Sequence, residues 1–382
     1  MTKRLGDRRP VYVVGIGLHP YQRPSDTPYV ALGLRAVRGA LEDAGLAWTD
    51  VESAYTATAL LGMAASRPML KHLGATGIPM AQIENASASG STAFRQAALE
   101  VAAGFSDISL AVGVDKPGLP SAATGRTGAG DLVGSRSAPA AWFAMQAQVY
   151  LSKTGTTIDD LGQVAVKNSR NGARNPNAQR QRARTLDEVL APPFVAGPFT
   201  RHQCCPIGEG AAAVVVASED AIRRHGLDRG RAIRVLSSTS RSETLADPGE
   251  DSDTHLTRQT VERAYDEASI GPEDLDVVEV HDAFSIEELM YAEALGLCAA
   301  GEAGRLISDG TLDIGGRTAL SPSGGLLAMG HPIGPTGLGQ IAEVTRQLRR
   351  EAGSRQQPSA RTGLAHMVGL GSVCVIHLLQ RP

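Results

Sequence analysis

The chain has 382 residues, 42% hydrophobic and 20% charged, with a formal net charge of −3. This composition suits a globular protein large enough for two domains or one doubled fold. With 4% aromatics and no long basic run, it excludes base-stacking nucleic-acid modules and polybasic binding to nucleic acid or an anionic membrane.

In chain order, residues 9–17 (RPVYVVGIG) read as a strand, and residues 40–52 as a helix end, a turn and a short acidic element. A strand follows at 53–58, then a glycine-containing elbow at 85–90 leading into a helix at 91–103, and a strand at 108–114. A long polar insertion spans 117–200, with helices expected at 138–154 and 157–170 and a surface loop at 171–182. The strand at 211–217 (AAAVVVA) closes a first half. The series then repeats. A strand at 231–239 opens a second half, and residues 264–276 match 40–52, with Ala44 aligned to Ala268, Leu46 to Ile270 and Asp50 to Asp274. Strands are expected at 277–280, 363–366 and 373–379, and a second elbow at 330–337 leads into a helix at 338–350. Continuously apolar strands alternating with helices predict an α/β fold with a mostly parallel sheet core. The halves divide as 1–218, including the insertion, and 219–382.

The second elbow, Gly-His-Pro-Ile-Gly-Pro-Thr-Gly at 330–337, fixes one imidazole, His331, between three glycines and two prolines. Beside a helix N-terminus such a histidine can aim an N–H at a developing negative oxygen. The matching first elbow carries Ser87. Two further segments belong with these elbows: His281-Asp282-Ala283-Phe284 at a strand end, where α/β sites form, and the glycine turn 367–371.

These motifs resemble the thiolase superfamily, in particular the bacterial branch similar to the thiolase domain of sterol carrier protein x. The resemblance spans nearly the whole chain. It rests on Glu-Asn-Ala-Ser-Ala-Ser-Gly at 84–90, Cys-Cys-Pro-Ile at 204–207 with Glu-Gly-Ala-Ala-Ala at 209–213, His-Asp-Ala-Phe-Ser at 281–285, the 330–337 loop and Gly-Leu-Gly at 369–371. It implies a duplicated five-layered αβαβα thiolase fold, a homodimer and a cytoplasmic acyl-CoA C-acyltransferase. Coenzyme A enters as a thioester substrate, with no separate cofactor and no metal. It also implies roles: Ser87 at the nucleophile position, His331 as base and oxyanion donor, His281 as second oxyanion donor or base, and Gly371 as a backbone N–H donor. Met367, Met329, Gly325 and Phe284 are the candidate substrate-binding residues. Bacterial relatives of this branch often work with a small OB-fold acyl-CoA-binding protein, a candidate partner here.

The chain departs from the family pattern at the nucleophile, where Ser87 stands for cysteine, and at Met367, where ordinary thiolases have a second cysteine. Smaller departures are Ser321, Met329 and Pro335. A serine hydroxyl is almost wholly protonated at neutral pH, whereas a free cysteine is already a few per cent thiolate. Four readings stay open. Ser87 is a slower nucleophile activated by His331. Ser87 is an introduced Cys→Ser change in an otherwise ordinary member. The chain is a retro-aldol C–C lyase without a covalent step, in which His281 takes a β-hydroxyl proton. Or it is a non-catalytic acyl-CoA-binding subunit.

The remaining landmarks read as structural. Cys204, Cys205, Cys298 and Cys374 lack metal-ligand spacing and read as core or packing thiols in a reduced compartment. Tyr291 reads as packing, and Asp282 as a helix cap or an orienting group. His366 reads as either a core or a pocket residue, and the arginines of 170–184 as a solvated loop or CoA-phosphate contacts. No apolar run reaches the ~18 residues of a membrane span, and the charged first nine residues do not read as a secretory signal.

Overall fold

The computed structural model describes residues 4–117, 139–244, 251–369 and 373–382. Ten strands form one sheet: β1 (Val11–Gln22), β2 (Ser53–Ala57), β3 (Met80–Ile83), β4 (Ile108–Asp115), β7 (Glu209–Ser218), β8 (Ile233–Ser242), β9 (Val277–Glu279), β10 (Ala319–Leu320), β11 (Thr362–Gly369) and β12 (Val373–Gln380). A separate hairpin pairs β5 (Phe194–Ala196) with β6 (Phe199–Thr200). The sheet order is β10-β9-β11-β12-β8-β1-β7-β4-β2-β3. It reads the same from either end: β1 corresponds to β8, β7 to β12, β4 to β11, β2 to β9 and β3 to β10. The halves join where β1 runs antiparallel to β8, with Val13 opposite Ile233.

The expectation of a mostly parallel sheet is corrected. Among the described residues four strand pairs of this sheet are parallel and five are antiparallel. Four antiparallel pairs arise because each half places its closing strand between its opening strand and a parallel group, and the fifth is the β1–β8 junction. The short strands β3 and β10 were not expected from sequence.

Side-chain alternation builds the layers. Val13, Ala212, Val214, Val216 and Ile233 face inward onto helices Ser89–Ala103 and Thr336–Arg349, through Phe94, Ala97, Leu338 and Ile341. Val14, Ala213 and Val215 face outward onto helix Tyr29–Ala44 through Leu32, Val37 and Ala40. Over the second half, Val278, Leu364 and Ile376 meet helices Ser252–Ala268 and Ser285–Ala294, where Leu161 and Val164 of the insertion helix Ile158–Gly172 join them. The two halves of the sheet enclose the paired helices, giving helix, half-sheet, paired helices, half-sheet, helix: this is the αβαβα arrangement.

The sequence repeat is also a conformational repeat. Helix Tyr29–Ala44 ends at Gly45 and helix Ser252–Ala268 ends at Ser269, both left-handed. The next N–H in each case returns to a carbonyl five residues back: Leu46 to Leu41, Ile270 to Tyr265. A single 3₁₀ turn follows in each half, closed when Asp50 accepts from the Ala47 N–H and Asp274 from the Gly271 N–H.

The two central helices approach closely at their N-termini. A Cβ at Gly90 would lie 2.5 Å from the Gly334 carbonyl oxygen, so only glycine admits the second elbow there. The stretch 171–182 is not simply a surface loop: Asn171, Asn175 and Ala178 are buried, and the Gln179 and Arg180 N–H groups pair with the Met329 and Ala328 carbonyls just before the His331 elbow. No helix among the described residues is long and apolar enough to cross a membrane.

Candidate active site

The elbows meet where the paired helices begin. Ser87 lies two residues before helix Ser89–Ala103, after Ala86 at φ +47°. The turn is held by Ser89, whose hydroxyl accepts from the Asn85 N–H at 2.8 Å and donates to the Ala86 carbonyl at 2.6 Å. The half-buried Ser87 Oγ sits 3.0 Å from His331 Nε2.

The tautomer of His331 follows from its other nitrogen. Nδ1 lies 2.9 Å from Thr336 Oγ1, and that hydroxyl spends its one proton on the Pro332 carbonyl at 2.6 Å. Thr336 must therefore accept, so Nδ1 carries the proton and Nε2 offers its lone pair to the Ser87 hydroxyl. Burial, with the neighbouring His281, holds this imidazole well below the usual histidine range. It is neutral at physiological pH, as a base for Ser87 must be.

His281 meets His331 edge-on, with ring centroids 5.3 Å apart. It follows β9, and its Nδ1 donates to Glu287 Oε1 at 2.7 Å. Glu287 is fixed in turn: its Oε2 accepts the Phe284 N–H at 2.8 Å as the third residue of helix Ser285–Ala294. His281 Nε2 is buried and has no hydrogen-bond partner among the described residues. Beneath it, His366 Nδ1 accepts the His281 backbone N–H and Nε2 faces Thr257 Oγ1 at 3.0 Å. Burial pulls His366 down to about 3, which keeps it a neutral structural support.

The Cys204–Pro206 segment ties the two histidine motifs together. Cys205 N–H donates to the Ala283 carbonyl, Cys204 bridges Phe284, and the Pro206 carbonyl accepts the His331 N–H. Burial raises both thiols, Cys204 to about 11, so neither is an ionised nucleophile.

The structure brings Ser87, His331 and His281 together. Met367, fully buried in β11, packs on Ala88 and Val375, beside the Ser87 turn. Phe284 stacks on Phe143 and tilts against Phe199 of the insertion. Gly325, at φ +57°, lies against the Asp282 carboxylate, and Met329 packs on Tyr21 and Ala178. Gly371 falls outside the described residues. Asp282 accepts from the Leu326 N–H and from Asn168, holding the helix Gly325–Met329. Tyr291 is packing, with its ring 4.6 Å from His366. Arg180 donates to the carbonyls of Cys204, Leu327 and Arg201, and Arg182 pairs with Glu188.

Sequence reasoning passed over Glu287, Thr336 and Asp253. The signal for Glu287 was available, because it is the N3 residue of a helix that opens directly after the histidine motif. Asp253 had none. It lies in the first turn of helix Ser252–Ala268, one turn before the Thr257 that supports His366. Burial pushes it up to about 7, and the carboxylates of Asp251, Glu287 and Glu243 add to the rise, while His281 opposes it. Between the ordinary carboxyl pKa near 4 and about 7 the folded state keeps a proton that the unfolded chain releases. This contribution to stability is full at low pH and is lost as pH rises through that window. Asp253→Asn is expected to gain thermal stability over the parent as pH rises from 5 to 8, in melts read across that range. Parallel melting curves would contradict the assignment.

Comparison with known proteins agrees with this architecture. Residues 11–185 match the family description "Thiolase, N-terminal domain" and residues 239–381 match "Thiolase C-terminal domain-like". The "Benzoylsuccinyl-CoA thiolase subunit BbsB" of Thauera aromatica is 36% identical over 370 residues, 95% of each chain. "Sterol carrier protein 2" of Gallus gallus is 36% identical over 392 residues, 97% of this chain and 72% of that one. Among solved structures, one titled "Ltp2-ChsH2(DUF35) aldolase" superposes with a TM-score of 0.83 at 25% identity, covering 97% of this chain and 98% of that one. The chain belongs to the thiolase family and has its fold.

Proposed function

We propose that this thiolase-family chain is an acyl-CoA C-acyltransferase that uses Ser87 as a slow nucleophile. The observation that carries the reading is the bare Nε2 of a neutral His331 at 3.0 Å from Ser87 Oγ. In the first half-reaction Ser87 Oγ attacks the thioester carbonyl and His331 takes its proton. The C–S bond breaks, and the CoA thiolate leaves with that proton, giving an acyl-serine ester. In the second, His281 Nε2 removes an α-proton from another acyl-CoA, while Glu287 steadies the resulting imidazolium. The enolate carbon attacks the acyl-serine carbonyl. The C–O bond breaks, the proton that His281 took passes by way of the adjoining His331 Nε2 to the departing Ser87 oxygen, and a 3-oxoacyl-CoA is released with both histidines neutral again. Run backwards, the same steps are thiolysis. Coenzyme A is then a substrate and no further cofactor takes part.

A homodimer is part of this reading. It is supported by β3, an edge strand of the sheet whose residues are only partly covered. A small acyl-CoA-binding partner is supported by the superposing solved structure, whose title names two components.

One observation favours a second reading. The superposing structure is titled an aldolase, and the unpartnered His281 Nε2 could equally take a β-hydroxyl proton in retro-aldol cleavage. Product analysis separates the two. The acyltransferase cleaves 3-oxoacyl-CoA only when free CoA is supplied and yields two CoA esters. CoA-independent cleavage of a 3-hydroxyacyl-CoA would overturn it in favour of the lyase. Acyl-CoA binding without turnover, in this chain and in Ser87→Cys, would leave only a binding subunit.

A further inference from the structure

The His331 elbow belongs to the second half of the chain, but its anchor comes from the first. Asp115, the last residue of β4, is fully buried. Its carboxylate accepts hydrogen bonds from Thr58 Oγ1 at 2.5 Å, the Leu60 N–H at 2.9 Å, the Ala59 N–H at 3.0 Å and the Gly334 N–H at 2.6 Å. The oxygens divide the work: Oδ1 takes Thr58 and Leu60, Oδ2 takes Gly334, and the Ala59 N–H lies between them, 3.2 Å from Oδ1 and 3.0 Å from Oδ2. Gly334 lies three residues after His331, and the segment is stiffened by Pro332 between them and Pro335 directly after. The strand end is flush against the elbow, since a Cβ at Gly113 would meet Pro335 Cα at 2.5 Å. The second half reciprocates: a Cβ at Gly369, ending β11, would meet the Asn85 carbonyl of the Ser87 turn at 2.7 Å.

We infer that Asp115 is a positioning residue, which sets the distance between His331 and the group at position 87 by clamping Gly334 to the first half. A shift of about 1 Å in such a pair is enough to cost catalysis about a hundredfold. The inference rests on the acyltransferase reading for its catalytic consequence, but its test does not.

Asp115→Asn is the informative change. Asparagine can keep its oxygen toward Thr58 and Leu60, and it then turns an NH₂ donor toward the Gly334 N–H. The link to the elbow is severed while the Thr58 and Leu60 links within the first half survive, with the Ala59 N–H left to the longer contact with Oδ1. The experiment compares Ser87→Cys with the Ser87→Cys/Asp115→Asn double variant, reading iodoacetamide alkylation at position 87 by peptide mass spectrometry across pH. A thiol there gives its proton to a well-placed His331 and reacts at low pH. The double variant is expected to react about tenfold more slowly at pH 6.5, with its inflection moved toward the free-thiol value near 8.5. Gly113→Ala in the same background pushes the Gly334–Pro335 backbone away from the same strand and is expected to move the profile the same way. It serves where Asp115→Asn does not fold. An unchanged alkylation profile in a folded variant, even one with a lowered melting temperature, would show that Asp115 is only structural and overturn the inference. Alkylation needs no acyl-CoA, so failure of the acyltransferase reading leaves this readout intact.

Discussion

Ser87→Cys is expected to raise the rate of covalent acylation by acyl-CoA on the order of a hundredfold or more. The surroundings already suit a thiolate. Position 87 precedes the N-terminus of the 15-residue helix Ser89–Ala103, whose dipole favours negative charge. The acceptor for its proton is in place, a neutral His331 with Nε2 bare and Nδ1 locked on Thr336. In the parent chain these features must act on a hydroxyl that gives up its proton only as it attacks. In the variant they act on a group ionised beforehand. Stopped-time intact-mass measurements with acetyl-CoA give both acylation rates. Equal rates would mean that the pair at 3.0 Å does not activate position 87.

His281→Ala is expected to lower carbon–carbon bond formation or cleavage by about 10²–10⁴-fold, the usual worth of a placed acid–base group. Acylation at position 87 should change little, because His331 and not His281 faces Ser87 Oγ. The argument rests on the division of contacts. His281 Nδ1 is committed to Glu287, so its free Nε2 is the atom presented to a second substrate. Glu287→Gln is the milder test. It keeps a hydrogen-bond acceptor for Nδ1 and removes the charge that steadies the imidazolium, so its loss should lie between the parent and His281→Ala. Single-turnover kinetics separate the two half-reactions. Equal loss in both steps would show that His281 serves the architecture of the whole site.

Much of the site was legible in the sequence because chain-local chemistry encodes it. The elbows at 85–90 and 330–337 announce themselves by glycine, proline and small residues, and the helices that follow start where expected, within two residues. The repeat of Ala44, Leu46 and Asp50 in Ala268, Ile270 and Asp274 is visible because helix end, cap and 3₁₀ turn are local devices. What stayed hidden depends on packing between distant segments. Asp115 reads as an ordinary strand-end acid until Gly334 is brought against it from the other half. Thr336 is one of several small residues in a glycine loop until the Pro332 carbonyl takes its proton. Asp253 is an unremarkable helix-start acid until three other carboxylates and burial surround it. The strands β3 (MAQI) and β10 (AL) escaped because neither carries the β-branched apolar run that marks the equally short β9 (VVE).

The central claim is that Ser87 and His331 form a nucleophile–base pair. Intact-mass analysis of the unaltered chain after mixing with acetyl-CoA, followed by peptide mapping, tests it most directly. The expected result is one acetyl group on Ser87, absent in Ser87→Ala and formed much more slowly in His331→Ala. If the unaltered chain carries no adduct at any time while Ser87→Cys acetylates readily, the serine is not a nucleophile and the claim is wrong.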